Sequence, residues 1–214
     1  MKKLFNKVIK ILLITDFTLT SGLGFVAPVF AIFIINRIAG GTIEIVGYAA
    51  AVYWIVKSAV TIPFGNFLDR NHGEKDDLLF IFMGSLLTAI ATFGFIIART
   101  VWHIYLLQSL YAIGIGMNIP AYSAIFTRHI DKGREASDWS FHSAFIGLGT
   151  GVTGAFGGVI AYKFGFNILF IIVGIVIAIS AFIPLIFLKN EVLLENKKVP
   201  RAPQAKSVNP SVPK

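Results

Sequence analysis

The chain contains no cysteine, which excludes disulfide frameworks, thiolate metal sites and thiol nucleophiles. Charge is scarce as well: Asp, Glu, Lys and Arg make up 14% of the 214 residues, against about 25% in an average soluble domain. A chain so poor in charge cannot clothe a water-facing surface. Histidine occurs four times and is scattered, and no P-loop G-x-x-x-x-G-K-[ST] is present, so nothing in the sequence encodes an ATPase. The acids lie dispersed along connectors rather than clustered near one interface as a membrane enzyme needs. No enzymatic activity, cofactor or metal is therefore expected.

What the chain has in abundance is apolar length, with 56% hydrophobic residues. About 20 apolar residues of helix cross a hydrocarbon core about 30 Å thick, and six stretches qualify: 11–35, 45–67, 78–98, 104–127, 139–162 and 166–188. Asp16 interrupts the first, which then runs on to Ile35, too far for the short apolar region of a signal peptide. The expected organisation is a cytoplasmic tail over 1–10, a six-helix transmembrane domain over 11–188, and a basic, disordered cytoplasmic tail over 189–214 that looks like a natural ending.

The formal charge of +8 is mostly a topology signal, so no nucleic-acid partner is expected. Four Lys stand in the N-terminal tail, two basic residues follow span two (Arg70, Lys75), three follow span four (Arg128, Lys132, Arg134) and six lie in the C-terminal tail. The other side holds Arg37, Arg99 and Lys163. The positive-inside rule then puts both termini in the cytoplasm, for a multi-pass protein of the cell (inner) membrane.

Gly22, Gly24 and Pro28 in span one recur 92 residues later as Gly114, Gly116 and Pro120, and Gly65 and Gly73 recur as Gly157 and Gly165 at the same offset. The offset reads as two copies of a three-span unit. An odd number of spans inverts the second copy, as in many secondary transporters. The expected fold is all-α, six transmembrane helices as two inverted three-helix repeats.

Gln108, Tyr111, Asn118 and Tyr122 fall with Ile115 on one helical stripe, suited either to a cavity or to interhelical hydrogen bonds. Gly147, Gly151, Gly154 and Gly158 form a small-residue face for close helix approach. Asp16 and Lys57 are charges inside spans, costly and functional by default; their heights allow a salt bridge that serves ion coupling. Snorkelling of Lys57 toward the interface is the alternative. His103 and His142, near span ends, suit interfacial hydrogen bonding. Tyr53, Trp54, Tyr111 and Tyr122 would suit a cationic or aromatic solute if they line a cavity.

The connector Gly65-Asn66-Phe67-Leu68-Asp69-Arg70-Asn71-His72-Gly73-Glu74-Lys75 resembles the G-x-L-a-D-R-x-G-R-K signature of the major facilitator superfamily. Gly65, Asp69, Arg70 and Gly73 match this cytoplasmic gating motif, with an extra residue before Gly73 and Glu74 where the family usually has Arg. Gly114-x-Gly116-x-x-x-Pro120, the connector Asp131-Lys132-Gly133-Arg134-Glu135 and Gly165-Phe166-Asn167 agree with the same family. Span one, with Asp16 before Gly22-Leu23-Gly24 and Pro28, looks like the first helix of drug-efflux members. Leu110 stands where the family often carries Arg, so that Arg's coupling role does not transfer.

The resemblance covers one six-span half of a fold that usually has two. It implies a secondary transporter in the lipid bilayer that exports a small-molecule substrate on a proton or ion gradient, assembled as a homodimer or with a second half-transporter chain. A non-transporting subunit or scaffold is the alternative. With no native cysteine, topology is directly testable. Single Cys residues at Asn36 and Asn71 should label with an impermeant thiol reagent from opposite sides of the membrane, and same-side labelling would defeat the topology.

Overall fold

A computed structural model describes residues 6–71, 73–130 and 132–195. Six helices follow in order: α1 Lys7–Val26, α2 Phe30–Arg37, α3 Ile43–Asn71, α4 Glu74–Gly94, α5 Val101–His129 and α6 Glu135–Glu195. Among the described residues the remaining backbone pairing is one isolated bridge, Ala39 to Thr100. Five of the helices are long and apolar enough to cross a membrane. Helix is the form such apolar chain must take, since lipid offers backbone N–H and C=O groups no partner and the helix satisfies them internally.

The first apolar stretch, expected as one span, is two helices. Pro28 has no N–H to donate and its ring crowds the preceding turn. α1 accordingly closes with the Ala27 N–H on the Leu23 carbonyl at 3.2 Å, and the backbone turns through Val29 before α2 begins. Pro63, Pro120 and Pro184 lie instead within continuous helices. At its start α1 is capped by Asn6, whose Oδ1 accepts from the Ile9 N–H at 2.8 Å, while its Nδ2 donates to the His129 carbonyl at 2.7 Å. One side chain thus ties the beginning of α1 to the end of α5.

α6 has 61 residues, about 90 Å at 1.5 Å per residue, far more than a bilayer accommodates. Gly165, at φ 85° and ψ 167°, breaks it into two arms, 135–164 and 166–195. Only a residue without Cβ takes this conformation at low cost. The arms run side by side, because Thr150 and Thr153 from the first and Ile177 from the second reach adjacent positions of α1, at Gly24 and Gly22. The second arm stays helical to Glu195, so the tail expected from 189 onward begins as helix; 1–5 and 196–214 lie outside the described residues.

Three apolar clusters fill the bundle. Val8, Ile9 and Leu12 of α1 pack with Ile125 and Phe126 of α5 and Leu188 of the second arm, which brings both ends of the described chain to one end of the bundle. At the opposite end Phe33, Phe95 and Phe170 meet, the rings of Phe33 and Phe170 4.8 Å apart at 77°. Leu19, Ala89, Ile115 and Ile177 lie in a cluster between them.

Glycines set how closely the helices cross. A Cβ on Gly22 would strike Ile177 of the second arm, and on Gly24, Thr150 and Thr153 of the first. On Gly114 it would strike the Gly84 carbonyl and Thr88 of α4, and on Gly116, Val60 of α3. Lipid tails are as apolar as leucine, so helices associate through such close van der Waals contact rather than by hydrophobic exclusion. The expected face of Gly147, Gly151, Gly154 and Gly158 does not serve this purpose. A Cβ on Gly147, Gly151 or Gly158 meets open space, and on Gly154 it comes only to 3.6 Å of the Gly24 carbonyl. The intimate face is the neighbouring stripe, with Gly149 on Phe17 and Ser21 and Gly157 on the Phe25 backbone. Within the chain the second stripe faces α1 directly, while of the first only Gly154 comes within ordinary contact of it.

Overpacking a tight core costs about 1–3 kcal/mol. Gly114→Val and Gly157→Val should therefore lower the thermal midpoint in detergent, whereas Gly147→Val and Gly151→Val should leave it near that of the unaltered chain.

Candidate functional site

α1 carries Asp16 against the first arm of α6, where its Oδ2 lies 2.7 Å from His142 Nε2. Both side chains are about 15% exposed. The contact is a hydrogen bond in which Nε2 donates when it carries the ring proton and the carboxylate oxygen accepts. The imidazole is boxed by Tyr122, Phe126 and Trp139, with ring centroids 5.5, 5.4 and 5.5 Å away. The hydroxyl of Tyr122 is buried without a hydrogen-bond partner among the described residues. One turn along, Phe17 stacks on Phe145 at 4.4 Å. The site is an acid, an imidazole and a phenol in an aromatic enclosure.

The expected Asp16–Lys57 salt bridge is not formed. α1 packs along α6 and α3 along α5, so the acid meets a histidine of α6 that sequence reading had assigned to ordinary interfacial bonding. Lys57 instead folds back over its own helix, its Nζ 4.0 Å from the Trp54 ring centroid and 5.5 Å from that of Tyr53. These rings precede it by three and four residues, the positions toward which helical side chains lean. Lys57 is the middle residue of α3, about 21 Å from either end at 1.5 Å per residue. A cation–π contact contributes about 0.5–2 kcal/mol, less than the cost of about 2.5–3.5 kcal/mol for a lysine at mid-span.

The α5 stripe is divided among three tasks. Gln108 and Tyr111 line a cavity of about 450 Å³ together with Tyr53, Trp54, Leu23 and Phe30. Tyr53 and Tyr111 face each other there at 5.8 Å. Asn118 is buried and bonded to α4, with Nδ2 donating to Ser85 Oγ at 2.8 Å and to the Ile81 carbonyl at 3.3 Å; it clasps two helices rather than facing a cavity. Tyr122 belongs to the Asp16–His142 enclosure.

The gating-motif residues lie where α3 ends and α4 begins. Gly65 and Asp69 line a second cavity of about 420 Å³ with Pro120 and Arg128. Arg70 closes the last turn of α3, and the Gly73 carbonyl accepts the Asp76 N–H at 3.1 Å as α4 starts. Arg128 Nη1 reaches Asp77 Oδ2 at 2.5 Å and Glu74 Oε1 at 3.8 Å, and His129 Nδ1 stands 3.5 Å from Glu74 Oε1. Glu74, acidic where the resembling signature is basic, is thus matched locally: an arginine there would oppose Arg128. Among the described residues no three His, Asp or Glu side chains gather as a metal would require.

Asp77 is 1% exposed, so Arg128→Ala leaves a stranded buried carboxylate. The expected destabilisation is about 1–3 kcal/mol, read as a lower thermal midpoint in detergent, and Asp77→Asn added to it should recover part of the loss.

Comparison with known proteins agrees with this architecture. The profile of the Major Facilitator Superfamily matches residues 12–212. An uncharacterized MFS-type transporter of Methanocaldococcus jannaschii is 24% identical over 193 residues, which is 90% of this chain and 48% of that protein. The chain thus spans about half the length of the curated relative it matches. A helical bundle with several helices long and apolar enough to cross a membrane and a family match over residues 12–212 make this chain an integral membrane protein that belongs to the major facilitator superfamily.

Proposed function

We propose that the chain is a half-size secondary transporter that moves a small organic solute across the membrane in exchange for protons, with Asp16 and His142 as the proton-binding pair. The observation that carries this reading is the 2.7 Å contact between Asp16 of α1 and His142 of α6 beside the unpartnered Tyr122 hydroxyl. A carboxylate in apolar surroundings takes up a proton at modest cost once its charged neighbour withdraws. Any rocking of α1 against the first arm of α6 changes that separation. Proton binding and helix movement are then one event, with no need for the Lys57 partnership expected earlier. The likeness of span one to drug-efflux members supports outward movement of the solute.

Two further features support the reading. In an inverted pair of repeats, equivalent glycines make equivalent contacts. Gly22 meets the last span of the second unit and Gly114 the last span of the first; Gly24 and Gly116 meet the middle spans in the same crossed fashion. The apolar side chains of α3 and of the first arm of α6, among them Trp54, Ile55, Ile62, Leu148, Val152 and Phe156, are exposed. In the proposed assembly a second copy covers this face and encloses a path between the two halves. Both termini are cytoplasmic in this scheme, because the basic connectors gather at the end of the bundle that holds them.

Liposomes containing only this chain and an entrapped pH dye test the proposal against a panel of small organic acids, amines and neutral solutes. At least one solute should drive proton movement under a pH gradient. Asp16→Asn and His142→Gln should each reduce that movement by about tenfold or more while the protein still runs as a folded peak. Undiminished coupled flux in both variants would remove the pair from the mechanism, and absence of flux with every solute would favour a subunit that needs a different partner chain.

A further inference from the structure

Lys57 is the ionic group that the proton-binding pair leaves over. Asp16, the acid expected to neutralise it, is held by His142, and among the described residues no carboxylate lies within 4.0 Å of the Lys57 ammonium. The contacts that the ammonium does make are with the rings of Trp54 and Tyr53, which offset only part of the penalty for a charge at the middle of a spanning helix. Those two rings line the cavity of about 450 Å³, and Tyr111 and Gln108 stand across from them. Lys57 is not itself a lining residue; its ammonium is linked to the cavity through the Trp54 and Tyr53 rings, which it lies over at 4.0 and 5.5 Å.

This placement decides between ligand charges. Aromatic walls taken alone favour a cation. Here the Trp54 face is already covered by a tethered cation, so a second positive charge would have to displace it or lie beside it in a low-dielectric setting, where like charges repel strongly. An anion gains what the cation loses. It neutralises Lys57 by a charge-assisted hydrogen bond while its apolar body lies among Tyr53, Tyr111 and Phe30, with the Gln108 amide available to a second polar group. We infer that the substrate class is a small aromatic or apolar organic anion, such as a monocarboxylate, whose charged group is received by Lys57 at the Trp54 edge of this cavity. The inference rests on the transporter reading for its physiological meaning, but binding at the site is measurable without flux.

The test is equilibrium dialysis of radiolabelled 2-naphthoate, 2-naphthylmethylamine and 2-naphthylmethanol against the full chain in lipid nanodiscs, with empty nanodiscs subtracted. 2-Naphthoate should bind saturably and at least about tenfold more tightly than the amine. Lys57→Gln should weaken naphthoate by about tenfold or more, the scale expected for losing a hydrogen bond to a charged group, with little change for the neutral alcohol. Lys57→Arg should retain naphthoate within about threefold, which also shows that replacement at this position preserves the fold. Amine binding equal to or tighter than naphthoate, naphthoate binding indifferent to Lys57→Gln, or no saturable binding by any of the three would overturn the inference. Lys57-dependent naphthoate binding without proton-coupled flux of any solute would count against the transporter reading and leave the anion site standing. Coupled flux of amines alone would do the reverse.

Discussion

The structure depends on how closely helices can approach where hydrophobic exclusion is absent. In lipid a leucine gains nothing by leaving its neighbours for another helix, so the bundle is held by surfaces that fit, and fit is set by residues with no side chain. α1 and α5 each carry two such residues, Gly22 and Gly24 on one and Gly114 and Gly116 on the other. Each pair brings two different helices against its own. The four contacts join α1 to both arms of α6 and α5 to α3 and α4. Asp16 of α1 and Tyr122 of α5 both meet His142, which the first arm of α6 supplies.

The charged groups within or bordering the bundle have three different solutions, and the differences carry the chemistry. Arg128, Asp77, Glu74 and His129 form a network where α4 begins and α5 ends. Asp16 is held by His142 at 2.7 Å. Lys57 has the aromatic faces of Trp54 and Tyr53 and no counter-charge among the described residues. Asp16 and Lys57 are kept apart because α1 packs along α6 and α3 along α5.

Much of this was legible in the chain itself. Scarcity of charge and six apolar stretches determined an all-helical membrane protein, because lipid permits no other use of such residues. The connector at Gly65, Asp69, Arg70 and Gly73 identified the family. Pro28, Gly165 and the glycine pairs marked places where the backbone bends or approaches closely. These are local properties, each dictated by the covalent structure of one residue or a short run.

Partnership was decided by tertiary structure. Nothing in the spacing of Asp16 and His142, 126 residues apart, distinguishes that pair from Asp16 and Lys57, since height in the membrane is readable from sequence but rotation about a helix axis is not. The same limit explains why the stripe through Gly147 and Gly151 looked like a packing face when Gly149 and Gly157 form it, and why Asn118 reads as cavity-lining when it binds Ser85. A helix offers several faces with the same four-residue period, and the choice among them is made only by the shape of the neighbours that pack against it.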